Sequence, residues 1–515
     1  MKQCMGADCE SASLRVYQQR NWREQTRTTY HAELSNRDCM QRQRARRTAA
    51  PNPESALVKL DHSAQPRIGS DAIAPPMKCA IIMPVGPGHD VLALDAQDSA
   101  RSAFNNAPGG FTALELIVID DTAAQLGRSQ ARNNGIAAAA AAGADWIFFL
   151  DADDVMDANA FAAATPYLAQ HDAVWGAIAE LAADEESGIL REEQLAEVRG
   201  IEQLLSCDPY GLLQIGHFVK TPVALANPFD TALDAGEDFD YYLRVWAKYT
   251  CIKIPQPLFY NRRGMHSTGP RSATGRQWRE TVQKLVCKAC ITHDFHADFT
   301  HRDVPLRFYV WNPYDSVQRT LLKSRFFEAA ELECVKQWVG PGARIVEVGA
   351  YVGNHSVYYL RFMQPSALTI FEPDPAIMPL LERNLAANPC TGLTPKMYAL
   401  AAANREARYH VVNDDAENQG VMHLVADDDG TIRSTTLDST IRGAVDFIRI
   451  DAESMELEVL EGAAHIIGES RPKIMIKVLN DHTDAFNQWL AANRYRMVRT
   501  FQYINAATLL IEPSI

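Results

Sequence analysis

Trp146–Asp154 reads WIFFLDADD, a short apolar run that passes straight into carboxylates. An uninterrupted apolar run closed by a turn signal is the pattern of a strand buried on both faces, as in a parallel sheet. In open α/β sheets ligands bind beyond the carboxyl ends of such strands, so Asp151, Asp153 and Asp154 are expected at the mouth of a crevice. Carboxylates two residues apart on a turn can share one hard cation, and that cation can hold a diphosphate. Alone, Asp-x-Asp is more often a solvated acidic turn. Its neighbours have to decide.

Working outward, KCAIIMP (78–84) and LELIVID (114–120) read as further parallel strands, with a helix expected over 125–142. Strand–helix alternation of this kind implies a doubly wound sheet. Asp120 and Asp121 close the second of these strands. Between the two acidic strand ends lies GRSQARNNG (127–135), which sets Arg128 and Arg132 four apart on one helical face. Two arginines facing several acids fit plain ion pairing. They also fit a nucleotide diphosphate, with acid at a strand end reading base or ribose and arginine the phosphates. Glu237–Tyr249 repeats Phe239, Tyr242, Leu243 and Trp246 at helical spacing. Glu237 and Asp238 then sit in its first turn, where acids favour the helix in any case.

A second run of strands and helices opens at RIVEVGAYVGNHS (344–356), a strand entering a glycine turn and a helix. Gly349 and Gly353 let a ligand approach the backbone, and no Lys-Ser/Thr follows, so this is not a phosphate-binding P-loop. ALTIFEP (367–373) puts Glu372 at the end of the next strand, where it can bind two ribose hydroxyls. A dinucleotide and S-adenosylmethionine both satisfy that logic. Further strands are expected at 396–400, 446–450 and 473–478, with a closing pair near 495–500 and 508–511. Leu306–Trp311 reads as an edge strand and Arg325–Val339 as a helix ended by Gly-Pro-Gly.

Two resemblances emerge. IIMPV, IVIDDT, GRSQARNNG, WIFFLDADD and AGEDFDYYLR, in that order over about residues 77–290, resemble a family 2 glycosyltransferase of the GT-A fold. The resemblance implies that Asp120 or Asp121 contacts the nucleotide base, and that Asp151 and Asp153 hold Mn²⁺ or Mg²⁺ on the diphosphate of a nucleotide sugar. It further implies Asp238 as catalytic base beside Glu237, and His266, after an Arg-Arg-Gly turn, as a third metal ligand or a loop histidine. The Gly- and Pro-rich loop after Pro84 departs from the family's polar turn. FEPDP, ERNLAAN, TTLDS and DFIRIDAESMELEVLEGA, within about residues 300–515, resemble FkbM-type S-adenosylmethionine methyltransferases. That implies a Rossmann-like class I fold, O-methylation of a sugar hydroxyl, and cofactor contacts from Glu347, Gly349, Gly353, Asn354 and Glu372. Asp451 and Glu453, at the end of DFIRI, are the candidates for taking the hydroxyl proton. Ser454 stands where the family has glycine, and Lys477 where it commonly has glutamate.

At 515 residues the chain has room for two or three cores. Residues 1–76 hold twelve Lys/Arg against eight Asp/Glu with weak apolar periodicity, as expected of a basic, mobile tail. The remainder divides into a glycosyltransferase unit (77–293), a linker with a leading strand and helix (294–340), and a methyltransferase unit (341–515). The net charge of −14 argues against nucleic acid as a partner. No apolar run approaches the roughly 20 residues of a membrane span, and the amino terminus has no signal-peptide core. A cytoplasmic location follows, with peripheral association at the membrane through a lipid-linked saccharide acceptor left open. Cys287-x-x-Cys290 lacks a second pair for zinc and reads as reduced thiols. The expected function is a bifunctional glycan-modifying enzyme. The alternative is a glycosyltransferase whose rear half only binds cofactor or acceptor.

Overall fold

The computed structural model describes residues 77–514, apart from 182–187, 192–193, 195–196, 208–210, 234, 263–275 and 414–421. The basic stretch 1–76 and His266 lie outside the described residues.

The first strand expected, β1 (Lys78–Val85), pairs in parallel with both β2 (Ala113–Asp120) and β3 (Trp146–Phe149). It is flanked on both sides, which explains its almost wholly buried apolar run. The helix Gly127–Ala141 packs on this face, and its glycine and alanine residues allow the close approach. A Cβ on Gly135 would stand 2.3 Å from Ile82 Cγ2, so the helix lies directly on β1. Beyond β3 the sheet is mixed rather than uniformly parallel. β4 (Val155–Met156), β5 (Ala173–Leu181), β6 (Ile189–Leu190), β7 (His217–Lys220) and β8 (Cys251–Arg262) complete the order β2-β1-β3-β7-β5-β8-β4, with β6 beside β5. β7 runs antiparallel to both β3 and β5. Sequence pattern passes over β8 because Pro255 and Pro257 interrupt it; the sheet absorbs them through register shifts against β5 near Trp175–Ala179.

Leu306–Trp311 is not an edge strand of a large sheet. β10 (Val304–Tyr309) pairs with β9 (His296–His301) in a two-stranded ribbon. The ribbon's ends and middle pack differently. Phe295 and Val310 are buried in the front core with Trp278 and Val282, while Phe299, Leu306 and Phe308 are buried in the rear core with Leu332 and Tyr358. The helix expected from Arg325 begins at Ala329, preceded by a separate short helix, Ser316–Leu322, capped by the Asp315 carboxylate.

The rear sheet joins β11 (Arg344–Val348), β12 (Ala367–Phe371), β13 (Lys396–Tyr398), β18 (Phe447–Ile450), β19 (Lys473–Leu479), β20 (Tyr495–Gln502) and β21 (Ala506–Pro513). Their order is β13-β12-β11-β18-β19-β21-β20, parallel through β19 and closed by an antiparallel pair. Chain order reverses between β11 and β18, a switch point of the kind where doubly wound sheets bind ligands. One element had no precedent in the sequence pattern. β14 (Ala401–Ala402), β15 (Arg408–Asn413), β16 (Met422–Ala426) and β17 (Ile432–Thr435) form a small four-stranded sheet over the end of the large one.

Candidate functional site

In the front sheet the acids fall at strand ends as expected, but each has a different environment. Asp120 accepts the Thr122 N–H and hydroxyl, which hold its carboxyl below the usual range. Asp121 accepts three backbone N–H groups, from Gln125, Leu126 and Gly127 at 2.7–2.8 Å. Those bonds lower its pKa despite burial and shape the loop that enters the Gly127–Ala141 helix. Asp121 thus organises this loop through its carboxylate.

Arg132 is the centre of the front site. Its side chain is only 3% exposed; Nη2 lies 2.8 Å from Asp151 Oδ1 and Nη1 3.3 Å from Glu237 Oε1. Arg128, one turn earlier, approaches the same Glu237 oxygen at 3.6 Å with its side chain 40% exposed. Both arginines were expected to read phosphate; Arg132 is engaged by two carboxylates. It is a buried clamp between a strand end and the first turn of the Glu237–Lys248 helix. Asp238 is buried next to it. Asp153 and Asp154 crowd the same turn, and burial raises both carboxyl pKa values. Asp154 Oδ1 accepts from Asn261 Nδ2 and the Arg262 N–H, tying the turn to β8, while its buried Oδ2 has no hydrogen-bond partner among the described residues. Among the described residues no group of three or more His, Cys, Asp or Glu side chains could cage a metal. Two carboxylates on a turn suit instead a cation that takes its remaining oxygens from a diphosphate and water.

In the rear sheet, Gly349, Glu372 and Asp451 each directly follow a strand, β11, β12 and β18 respectively. All three line one cavity with Asn354, Arg449 and Lys477. Gly349 has φ 79°, and a Cβ there would lie 1.9 Å from the Asp451 carbonyl oxygen. The protein backbone alone already demands glycine at this position. Gly353, at φ 85°, leads into the next helix, and a Cβ on it would meet Leu381; it is not among the residues lining the cavity. Glu347 is also beneath the cavity, fully buried, accepting the Ser356 hydroxyl and lying 3.7 Å from Arg449. Asn354 lines the cavity, yet its amide spans the Phe327 N–H and carbonyl. Glu372 accepts the Tyr351 and Asp374 N–H groups at 2.7 and 2.9 Å, and burial pushes its carboxyl up to about 7.

The two candidate proton acceptors share a cation. Lys477 Nζ is 2.8 Å from Glu453 Oε1 and 3.2 Å from Asp451 Oδ1, and Arg449 Nη2 is 2.7 Å from Asp451 Oδ2. Lys477 and Arg449 outweigh burial and bring Asp451 down to about 2. Glu453 moves the other way, raised by burial and by Asp451. Arg449 escaped the sequence reading, although an arginine inside the otherwise apolar FIRI was a signal for it. His355 also lines the cavity, with Nε2 3.0 Å from the buried Glu328 carboxylate; that pair joins segments distant in sequence and left no local trace. Cys287 and Cys290 share one helix, and burial raises both thiol pKa values.

Residues 102–208 match the glycosyl transferase family 2 model, and residues 347–497 match the methyltransferase FkbM domain. No curated relative matches the chain. Among solved structures, S. aureus TarS 1–349 in complex with UDP-GlcNAc is 12% identical over 42% of this chain and 67% of that one, with a TM-score of 0.32. Methyltransferase FkbM from Methylobacillus flagellatus KT is 20% identical over 33% of this chain and 43% of that one, with a TM-score of 0.24. The chain thus spans less than half the length of that methyltransferase. A ribosomal protein L11 methylase from Lactobacillus delbrueckii subsp. bulgaricus is 13% identical over 42% of this chain and all of its own, with a TM-score of 0.27.

Replacing Arg132 by Met takes from the buried Glu237 the nearer of its two described arginines, and should cost on the order of 3–5 kcal/mol in urea unfolding. Glu372 gives a pH signature. Its folded pKa, about 7, lies above the ordinary 4.5, so the stability it contributes is complete below pH 4.5 and lost as pH rises through 7. In the ligand-free chain Glu372→Gln should flatten that interval of the stability profile by about 3 kcal/mol.

Proposed function

With a glycosyl transferase family 2 segment ahead of an FkbM methyltransferase segment, we propose that the chain is a bifunctional glycan-modifying enzyme. Its front half (77–293) transfers a sugar from a nucleotide sugar to a glycan or lipid-linked saccharide, inverting the anomeric centre. Its rear half (341–515, led in by 294–340) methylates a sugar hydroxyl from S-adenosylmethionine. The observation that carries the front reading is the Arg132 bridge, which ties the Asp-x-Asp turn to the helix bearing Glu237 and Asp238.

The chemistry follows from that adjacency. A sugar hydroxyl is a weak nucleophile, so Asp238 takes its proton as the oxygen bonds to the anomeric carbon and the nucleoside diphosphate departs. Asp151 and Asp153 are the residues to hold Mn²⁺ or Mg²⁺, which supplies charge neutralisation at the leaving diphosphate. Arg132 fixes Asp151 and Glu237 in place, at 2.8 and 3.3 Å. Arg128, the more exposed of the two arginines, is the one within reach of a phosphate.

In the rear half Glu372 holds the two ribose hydroxyls and Gly349 leaves the strand end bare. Of the two carboxylates, Glu453 is the better proton acceptor, because Lys477 and Arg449 hold Asp451 too acidic to take a proton from an alcohol. Glu453 takes the acceptor's proton as its oxygen gains the methyl group. The same Lys477 pairing favours one alternative, a rear half that binds cofactor and acceptor without turnover. No helix among the described residues is long and apolar enough to cross a membrane. A cytoplasmic enzyme, acting on free or membrane-borne acceptor, fits the acidic composition.

For the front half, a screen of nucleotide sugars with Mn²⁺ or Mg²⁺ should release nucleoside diphosphate rather than pyrophosphate. Asp238→Asn should lower that rate by about 10²-fold or more while keeping metal-dependent donor binding; a variant as fast as wild type refutes the assignment. For the rear half, acceptor-dependent formation of S-adenosylhomocysteine that drops in Glu453→Gln supports catalysis. Cofactor binding with no turnover over a broad glycan panel establishes the binding module instead.

A further inference from the structure

An open groove lies beside the rear cavity, between the small four-stranded sheet and the helix Glu456–Glu461. Leu424, Glu453 and Met455 belong to the walls of both hollows, so a single turn separates them. That turn has an unusual backbone. Glu453 and Ser454 are consecutive non-glycine residues in the left-handed region, at φ 45° and 83°. The result is that Glu453 reaches Lys477 in the cavity, while the exposed Ser454 lines the groove alone. The groove floor contains Tyr409 and Met455, both buried. Its edge carries Arg405, Glu458 and Glu461, with Glu461 fixed by the Asn404 amide at 2.8 Å.

We propose that this groove is the acceptor subsite of methyl transfer, that it takes a neutral saccharide, and that Ser454 sets the fit at the passage into the cavity. The proposal rests on the rear cavity being the methyl-donor site and deepens that reading. A pyranose offers an apolar face and a ring of hydroxyls. An aromatic and thioether floor suits the first, and carboxylates accepting from hydroxyls suit the second. Among the described Asp, Glu, Lys and Arg residues of the groove's wall, Glu453 pairs with Lys477, which leaves Glu458 and Glu461 against Arg405. A uronate or phosphate group would meet like charge there. Ser454 sits in a backbone conformation that side chains rarely adopt, on the turn whose neighbours Glu453 and Met455 wall both hollows. Glycine would relieve the conformation, so the hydroxyl is held in the passage against a local backbone cost.

The test uses the full chain and starts with titration of S-adenosylmethionine into wild type. Absence of donor binding refutes the methyltransferase reading itself. With S-adenosylhomocysteine bound, N-acetylchitotetraose, maltotetraose and tetragalacturonate are then titrated. At least one neutral tetrasaccharide should bind, and more tightly than tetragalacturonate. Ser454→Gly should melt no lower than wild type and keep donor affinity, yet weaken the neutral ligand about five-fold or more. Glu458→Lys should weaken it about ten-fold and improve tetragalacturonate binding. The proposal is overturned if none of the saccharides binds, if the anionic one binds as tightly as the neutral ones, or if both variants bind as wild type does.

Discussion

Parallel strands impose one constraint on this molecule: they all end on the same side, so the residues that follow them are forced together. In the front sheet that rule gathers Asp121 after β2 and Asp151 after β3. In the rear sheet it gathers Gly349, Glu372 and Asp451 after β11, β12 and β18. Carboxylates concentrated in this way repel each other and lose hydration, so each cluster needs cations built into the protein. Arg132 serves in front, and Arg449 with Lys477 behind. Two strand-end sites thereby share one electrostatic plan.

The plan separates acids that hold a shape from an acid that faces a cavity. Asp121 spends its carboxylate on three backbone N–H groups, and Glu347 is sealed under the sheet against Arg449 and the Ser356 hydroxyl. Glu453, by contrast, stays in the cavity wall with its carboxyl raised. Acids in and around the strand ends thus meet quite different surroundings, set by the groups packed against each.

Much of this was legible in the residues. β1, β3 and β11 stood out because buried parallel strands are continuous apolar runs, and the acids at the ends of β2, β3 and β12 marked the candidate sites. The glycines were found for an incomplete reason, since the demand at Gly349 comes from the Asp451 carbonyl, a contact about a hundred positions away along the chain. Arg132 could be placed on a helix face but not buried between two acids, because burial depends on where the Glu237 helix docks. β8 hid behind its prolines, and the small sheet over residues 401–435 hid because short, partly exposed strands such as RYHVVN carry little periodicity.

The β9–β10 ribbon bears on how this chain could have arisen and how it can be taken apart. Phe295 and Val310 plug one hydrophobic interior, and Phe299, Leu306 and Phe308 plug the other. A cut on either side of the ribbon would therefore uncover aromatic surface on both fragments. The ribbon is a rivet rather than a tether, so the two halves are not beads on a string, and separating them would demand new surface residues as well as new termini.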